Sequence, residues 1–193
     1  MSSLPPTGWA VLGLLSFGRE LSGYDLKKWA DSSLRFFYWS PAISQIYGEL
    51  RRLERLGYVE SRTTAQDDLR NKRMYRITSA GRDALAAWAD GAPVEPPVLK
   101  HGVLLRVWLG HLAGPDVLRE IVLEHRAYVD EVLEILRAGR INAENEPAFA
   151  YPAIVIRWGQ RYYANERELA DELLRELEAL PQPATARFAG QLE

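Results

Sequence analysis

The chain has 193 residues, 47% hydrophobic and 26% charged, which are the proportions of an ordinary globular protein with one large core or two small ones. It contains no cysteine, which excludes disulfides, thiolate catalysis and cysteine-ligated zinc. The net charge of −2 hides an asymmetry that suggests two parts with separate tasks, because residues 1–90 carry 13 Lys and Arg against 10 Asp and Glu, whereas residues 91–193 carry 11 against 16.

The first part begins with two predicted helices. The first is expected at about residues 7–17, with Thr7 as its N-cap and Gly18 at its end. The second follows Ser22, which is placed to cap the stretch "GYDLKKWAD". The aromatic stretch "SSLRFFYW" comes next and is predicted to be extended, with room for one very short strand.

A third helix, a hairpin and a fourth helix complete this part. The third helix is predicted at residues 41–56, with Ser40 as N-cap and Pro41 at the first helical position. Strands are predicted at residues 58–62 and 73–78, and a polar loop at residues 63–72 joins them. Thr78 or Ser79 then opens a helix that continues to about Trp88. This order of elements is that of a winged helix-turn-helix.

The third helix carries a polar, basic side opposite its apolar side. At 100° per residue, Ile43, Ile46, Leu50 and Leu53 fall on one side, with Tyr47 at the margin. The opposite arc holds Gly48 and five polar side chains: Ser44, Gln45, Arg51, Arg52 and Arg55. Short polar groups near the start of a helix suit base edges in a major groove, and arginines suit phosphates. A solvated helix face is the alternative interpretation.

The loop between the two predicted strands is a second basic element. It places Arg70, Lys72 and Arg73 at the tip and on the return strand, where they could reach phosphates or a minor groove. Asp67 and Asp68 partly offset this charge, and an ordinary polar turn is the alternative.

The stretch "DGAPVEPPVLKHG" at residues 90–102 is the best domain boundary, and the chain after it is predicted to be helical. The domains are therefore expected at 1–90 and 91–193. "VLKHGVLLRVWLGHL" and "PDVLREIVLEHRAYVDEVLEIL" are the first two helices of the second domain. A third, at about 148–180, repeats apolar residues in steps of three, four or seven: Ile154, Trp158, Tyr162, Leu169, Leu173, Leu177 and Leu180.

This repeat is close to a heptad seam. With no helix of comparable length predicted in the same half, the seam would leave a long apolar strip in water. Dimerisation of two chains through these helices is the expected outcome. An intramolecular three-helix bundle is the alternative.

Aromatic side chains suggest a ligand pocket. Flat aromatic walls suit planar ligands, and the candidates are Trp88, Trp108, Trp158, Tyr162 and Tyr163. Ordinary core packing of aromatics at helical spacing is the alternative.

Catalysis, cofactors and metals find no support in the sequence motifs. The three histidines form neither an HxxxH pair nor an HExxH motif, and there is no GxSxG, phosphate-binding glycine loop or dinucleotide fingerprint. The start, "MSSLPPTGWAVLGLL", has no basic residue before an apolar run that is too short for a signal core or a membrane span. A cytoplasmic protein that is not an enzyme and has no membrane partner is expected.

Three segments together resemble the PadR family of bacterial transcriptional regulators, in its longer subfamily with a C-terminal helical domain. They are "AVLGLLSFGRELSGYDLKKW", "WSPAISQIYGELRRLERLGYVESR" and "NKRMYRITSAGRDALAAW". The resemblance implies a homodimer that binds inverted-repeat operators in double-stranded DNA, usually represses, and is in some cases released by phenolic acids or planar drugs. By position, it implies that DNA is contacted by Ser44, Gln45, Tyr47, Arg51, Lys72 and Arg73.

Two other classes stay open at this stage. A winged-helix module that binds a protein instead of DNA fits the modest positive charge of the first part. A MarR-like regulator is a further alternative, but such proteins usually place dimerisation helices at both ends of the winged domain, whereas here only about six residues precede the first helix.

Overall fold

The chain folds as two units, one ending at Pro96 and the other starting at Pro97. The structure is a computed structural model that describes residues 4–66, 69–94 and 96–180, without the side chains of residues 65, 66, 69–71 and 142. The first unit contains four helices and a small sheet, and the second is helical, so the mainly α fold with an N-terminal winged helix-turn-helix is confirmed.

Helices α1 (Pro6–Leu15) and α2 (Gly23–Ser32) begin the first unit. The prediction that Thr7 caps α1 is wrong, because Pro5 and Pro6 start the helix: proline has no N–H that needs a cap, and its φ is already helical. The predicted cap of α2 is confirmed, since Ser22 accepts from the Asp25 N–H while Asp25 accepts from the Ser22 N–H.

Helix α3 (Ile43–Arg55) starts two residues later than predicted. Ser40 is not its cap, because the Ser40 hydroxyl is hydrogen-bonded to α2 instead. Ala42 takes the N-cap position, and the Gln45 side chain accepts from the Ala42 N–H at 2.8 Å. Ile43, predicted on the core side, is exposed, because it opens the helix and no preceding turn covers it.

The sheet has the order β1-β3-β2 and is antiparallel, with β1 at Leu21–Ser22, β2 at Val59–Gln66 and β3 at Leu69–Ile77. The short extra strand is therefore β1, whereas "SSLRFFYW" forms a 3-10 turn at Leu34–Phe36. The predicted loop at 63–72 is mostly strand, since Thr63 pairs with Arg73 and Thr64 with Lys72. Asp67 and Asp68 lie outside the described residues.

The core of the first unit lies where α1, α2 and α3 meet the sheet. Leu12, Leu15, Leu26, Ile46 and Leu50 are fully buried there. Helix α4 (Ser79–Gly91) begins at the predicted cap, because the Thr78 side chain accepts from the Gly81 N–H at 3.1 Å. The apolar side of α3 is thus fixed in the core and its opposite side is left in solvent.

The second unit consists of a short helix α5 (Gly102–Trp108) and two helices of 30 residues each, α6 (Pro115–Glu144) and α7 (Ala150–Ala179). The expectation that the last helix has no comparable partner is wrong, because α6 continues eight residues past Leu136 and packs along α7. The contact buries one side of α6: Leu118, Val122, Val129, Val132, Leu133 and Leu136.

The apolar residues of the predicted seam on α7 are partly packed against α6 and partly exposed to solvent. Leu177 is buried and Leu173 packs against the α6–α7 core. Ile154, Trp158 and Leu169 are 54%, 55% and 54% exposed. These three positions leave apolar area in solvent in a single chain.

Candidate nucleic-acid interface

The outer side of α3 is the most distinctive surface of the first unit. The polar side chains predicted for this surface, Ser44, Gln45, Arg51, Arg52 and Arg55, are all exposed. Within the described part of the chain, the ion pairs of this helix involve Arg52, whose Nε lies 3.4 Å from Glu49 Oε2, and Glu54, but neither Arg51 nor Arg55. Two guanidinium groups therefore project from α3 with their hydrogen-bond donors available to an anion.

The segment before α3 is fastened to α2. Ser40 Oγ donates to Asp31 Oδ1 at 2.6 Å, and Lys27 Nζ donates to Ser40 Oγ at 3.1 Å. Lys27 also pairs with Asp31, and these two donors hold the pKa of the Asp31 carboxyl below its usual value. This cluster ties the segment that leads into α3 to the side of α2.

Tyr47 packs on the first residue of α2. A Cβ on Gly23 would lie 2.5 Å from Tyr47 Cε1, so only glycine admits the ring in this position. The ring is still 39% exposed, which leaves one edge available to a partner. Tyr47 thus connects the start of α2 to the outer side of α3.

Gly48 lies between the polar side chains of α3. A Cβ built there meets nothing within 4 Å. Packing within the chain therefore does not require glycine at this position. Glycine there costs up to about 1 kcal/mol of helix stability relative to alanine, and no neighbour among the described residues occupies the space of a Cβ.

Two of the cations predicted in the β2–β3 hairpin, Lys72 and Arg73, form ion pairs. Arg73 Nη2 donates to both oxygens of Glu54 at 2.8 Å, and Arg73 Nε donates to Ser61 Oγ at 2.8 Å. Lys72 Nζ lies 3.0 Å from Asp25 Oδ2. The hydrogen bond from Ser61, with the Arg73 guanidinium, lowers the pKa of Glu54. A phosphate that approaches Lys72 or Arg73 therefore competes with a carboxylate already in contact.

Arg70 is the remaining basic residue predicted in the wing. Its backbone is part of β3, and its side chain is not among those that the structure describes. Sequence reasoning missed Asp25 and Glu54 as partners of the wing cations. The Ser22–Asp25 capping signal was visible in the sequence, but the approach of β3 to it was not, since it depends on the sheet.

The predicted aromatic set is split between the two units. Trp88 stacks on Trp9 in the first unit, with ring centroids 5.2 Å apart. Trp158 stacks on Tyr162 in the second, with centroids 5.3 Å apart, and Trp108 is exposed at the end of α5. The structure brings together Trp158, Tyr162 and Tyr163, the last two edge to face.

Three helices, a two-stranded wing and an outward basic helix define the class: a winged helix-turn-helix protein with an appended helical unit. Residues 11–87 match the transcriptional regulator PadR-like family, and residues 99–178 match the family described as virulence activator alpha C-term. Among the described residues, no helix combines the length and apolarity needed to cross a bilayer.

Individual relatives agree with these matches. The negative transcriptional regulator PadR of Bacillus subtilis is 38% identical over 128 residues, which are 64% of this chain and 69% of the relative. The crystal structure of that organism's PadR with operator DNA superposes with a TM-score of 0.72 at 26% identity, over 88% of this chain and 98% of the other. The structure of PadR with p-coumaric acid gives 0.65 at 23% identity, over 89% and 98%.

The chain belongs to the PadR-like family of transcriptional regulators. Its relatives are regulators and not enzymes, and the family assignment decides against the MarR-like alternative.

Proposed function

We propose that this chain is a sequence-specific DNA-binding repressor that acts as a homodimer on an inverted-repeat operator. The observation that carries the proposal is the outer side of α3, where Arg51 and Arg55 point into solvent without carboxylate partners in the described chain. The DNA complex of the Bacillus subtilis relative supports it.

The roles follow from side-chain chemistry. Arg51, Arg52 and Arg55 bind phosphates and supply affinity, whereas Ser44 and Gln45 discriminate bases. Tyr47 contacts DNA with its exposed edge. Arg70, Lys72 and Arg73 of the wing contact the DNA backbone, where phosphates compete with the carboxylate partners of Lys72 and Arg73. Residues 1–90 form the DNA-binding domain, and residues 91–193 form the domain of dimerisation.

The dimer forms through α7 and its exposed apolar residues Ile154, Trp158 and Leu169. Burying their apolar surface between two chains stabilises the dimer by about 25 cal/mol per Å² removed from water. Pairing fixes the distance between two copies of α3. A separation of about 34–36 Å suits successive major grooves and reads a two-fold symmetric site.

A small aromatic ligand releases the dimer from DNA in this scheme, by binding one arrangement of the chain better than another. The p-coumaric acid complex of a relative and the stacked pair Trp158–Tyr162 support this part, with Trp108 of the same unit as a further candidate contact. Titration of the full chain with p-coumaric acid should quench tryptophan fluorescence and weaken DNA binding. An unchanged spectrum and affinity would rule out this ligand class.

Selection of bound sequences from a random DNA pool tests the proposal as a whole. We expect a two-fold symmetric motif whose half-site centres lie one helical turn, about 10–10.5 base pairs, or a multiple apart. A pool without enrichment would favour a protein-binding winged helix, and an enriched motif without symmetry would contradict the dimer.

A further inference from the structure

Two histidines and one carboxylate converge inside the second unit. His101 is the N-cap of α5, His125 lies in α6 and Glu166 lies in α7. His101 Nε2 is 2.6 Å and His125 Nε2 is 2.8 Å from the same oxygen, Glu166 Oε1. The three side chains are only 13%, 18% and 13% exposed, so this is an internal cluster.

We propose that His101, His125 and Glu166 form a binding site for a divalent transition-metal ion of the zinc type. One ligand atom from each of the three residues lies within 4.8 Å of the other two. Two imidazoles and a carboxylate are a donor set that Zn²⁺ accepts, with a fourth position left for water or another ligand. The proposal does not depend on DNA binding.

The geometry needs only a small expansion to hold an ion. Zinc bonds of about 2.0–2.1 Å in a tetrahedron place neighbouring ligand atoms about 3.3 Å apart. The present separations of 2.6 and 2.8 Å from the Glu166 oxygen are hydrogen bonds, so the His101 and His125 nitrogens would move away from it by about 0.7 and 0.5 Å as an ion enters.

The Glu166 carboxylate lies between the two imidazoles. Burial raises the pKa of Glu166, whereas the hydrogen bonds with His101 and His125 lower it, and the net shift is downward. A cavity of about 420 Å³ adjoins the cluster and is also lined by Arg106 and Tyr162. It leaves room for a water or a small anion at the fourth position.

Metal binding would act on the start of α5. His101 Nδ1 accepts from the Leu104 N–H at 3.3 Å, so the neutral ring carries its proton on Nε2 and donates it to Glu166. A metal bound at Nε2 needs the lone pair of that nitrogen, so the proton must move from Nε2 to Nδ1. Nδ1 then no longer accepts from the Leu104 N–H. Occupancy is therefore linked to the first turn of α5, directly after the proline-rich segment that separates the two units.

The test is a metal titration of the full chain. Bound metal is first stripped with a chelator, and the chelator is then removed. Co²⁺ reports its coordination by visible ligand-field bands, and Zn²⁺ should displace it. We expect one saturating equivalent per chain. His125→Gln and Glu166→Gln should each weaken metal binding by at least about 100-fold. Removing a group that only hydrogen-bonds to a metal ligand already lowers metal affinity by about 10- to 100-fold, and removing the ligand itself should cost more.

Matched controls are His111→Gln, the third histidine, and Glu178→Gln, an exposed carboxylate on the same helix as Glu166. Both should bind like the parent protein. Circular dichroism confirms that each variant is folded, and if Glu166→Gln unfolds, His125→Gln carries the test. Absence of saturable binding, or equal binding by His125→Gln and the parent chain, would overturn the proposal. Faster amide exchange at Leu104 with metal bound is the further expected result.

Discussion

Gln45 has two duties at the scale of the single residue. Its carbonyl oxygen accepts the Ala42 N–H and so closes the first turn of α3, while its amide NH₂ remains free to donate to a base. A two-bond contact with adenine needs both atoms, so such a contact would compete with the cap. Gln45 is therefore expected to use its amide donor alone in the complex.

Glu in place of Gln45 separates the two duties. Gln45→Glu keeps an acceptor for Ala42 and adds negative charge at a helix N-terminus, which stabilises by about 0.3–1 kcal/mol, but it removes the donor. We expect an unchanged or raised melting temperature and a loss of discrimination of about 1–3 kcal/mol at one base pair, measured by fluorescence anisotropy with point-substituted operators. Gln45→Ala is the comparison, since it loses both the cap and the donor. Equal specificity in parent and Gln45→Glu would assign Gln45 to the cap only.

The helical wheel placed the outer residues of α3 correctly because burial follows the 3.6-residue period once the inner side is fixed. Ser44, Arg51 and Arg55 are exposed and Ile46 is buried, as predicted from the sequence. Their contact with DNA stays a prediction. The Arg73–Glu54 and Lys72–Asp25 ion pairs could not be predicted, because each joins residues at least 19 positions apart that only the folded sheet brings together.

At the scale of the element, the predicted caps of α2 and α4 are confirmed and those of α1 and α3 are wrong, and the length of the strand pairing was underestimated. The caps at Ser22 and Thr78 lie within three residues of the groups they satisfy, and both were predicted. The wing was predicted too short, because Thr64 to Lys72 has the polar composition of a loop, although cross-strand hydrogen bonds continue through Thr64. An exposed hairpin has no buried face to mark it in the sequence.

Gly48 provides a prediction for helix α3 as a whole. Gly48→Ala should raise the free energy of unfolding by up to about 1 kcal/mol, since alanine favours the helix and a Cβ there meets no neighbour. If α3 approaches DNA closely at Gly48, the same change should weaken operator binding. Urea denaturation and anisotropy measure the two effects.

Gly81→Ala is the matched contrast, because its Cβ would lie 2.2 Å from the Tyr58 carbonyl oxygen and should cost about 1–3 kcal/mol or more of stability. A Gly48→Ala chain that is more stable and binds DNA as well as the parent would show that this position does not approach the duplex.

At the scale of the whole molecule, the second unit buries part of the apolar surface of α7 against α6 and leaves another part exposed to solvent. Helix α6 covers Leu177 of α7, whereas Ile154 and Leu169 remain exposed. The apolar repeat of α7 was predicted from the sequence, but not that α6 covers only part of it. The last turns of α6 are polar in composition, so the helix was predicted to end at Leu136. The histidine pair was missed for a similar reason: its members come from different helices and form no local motif.

An acidic side chain on the open part of α7 should prevent pairing. Ile154→Glu and Leu169→Glu are each expected to convert a dimer to a folded monomer, because a buried unpaired carboxylate costs several kcal/mol at an apolar interface. Light scattering after size exclusion gives the mass. Val94→Glu, an exposed valine in the segment between the units, is the control and should remain dimeric. Dimers that persist in both α7 variants would place the interface elsewhere.

The slope of log K for operator binding against log salt concentration tests the central role of α3 most directly. Each phosphate contact contributes about 0.9 to this slope, so Arg51→Ala/Arg55→Ala should lower it by about two units per chain. The matched control is Arg19→Ala/Arg82→Ala, which removes the same charge from exposed positions of the same unit outside α3. We predict a reduced slope and affinity for the α3 pair and parental values for the control; equal slopes in the two double variants would contradict insertion of α3 into DNA.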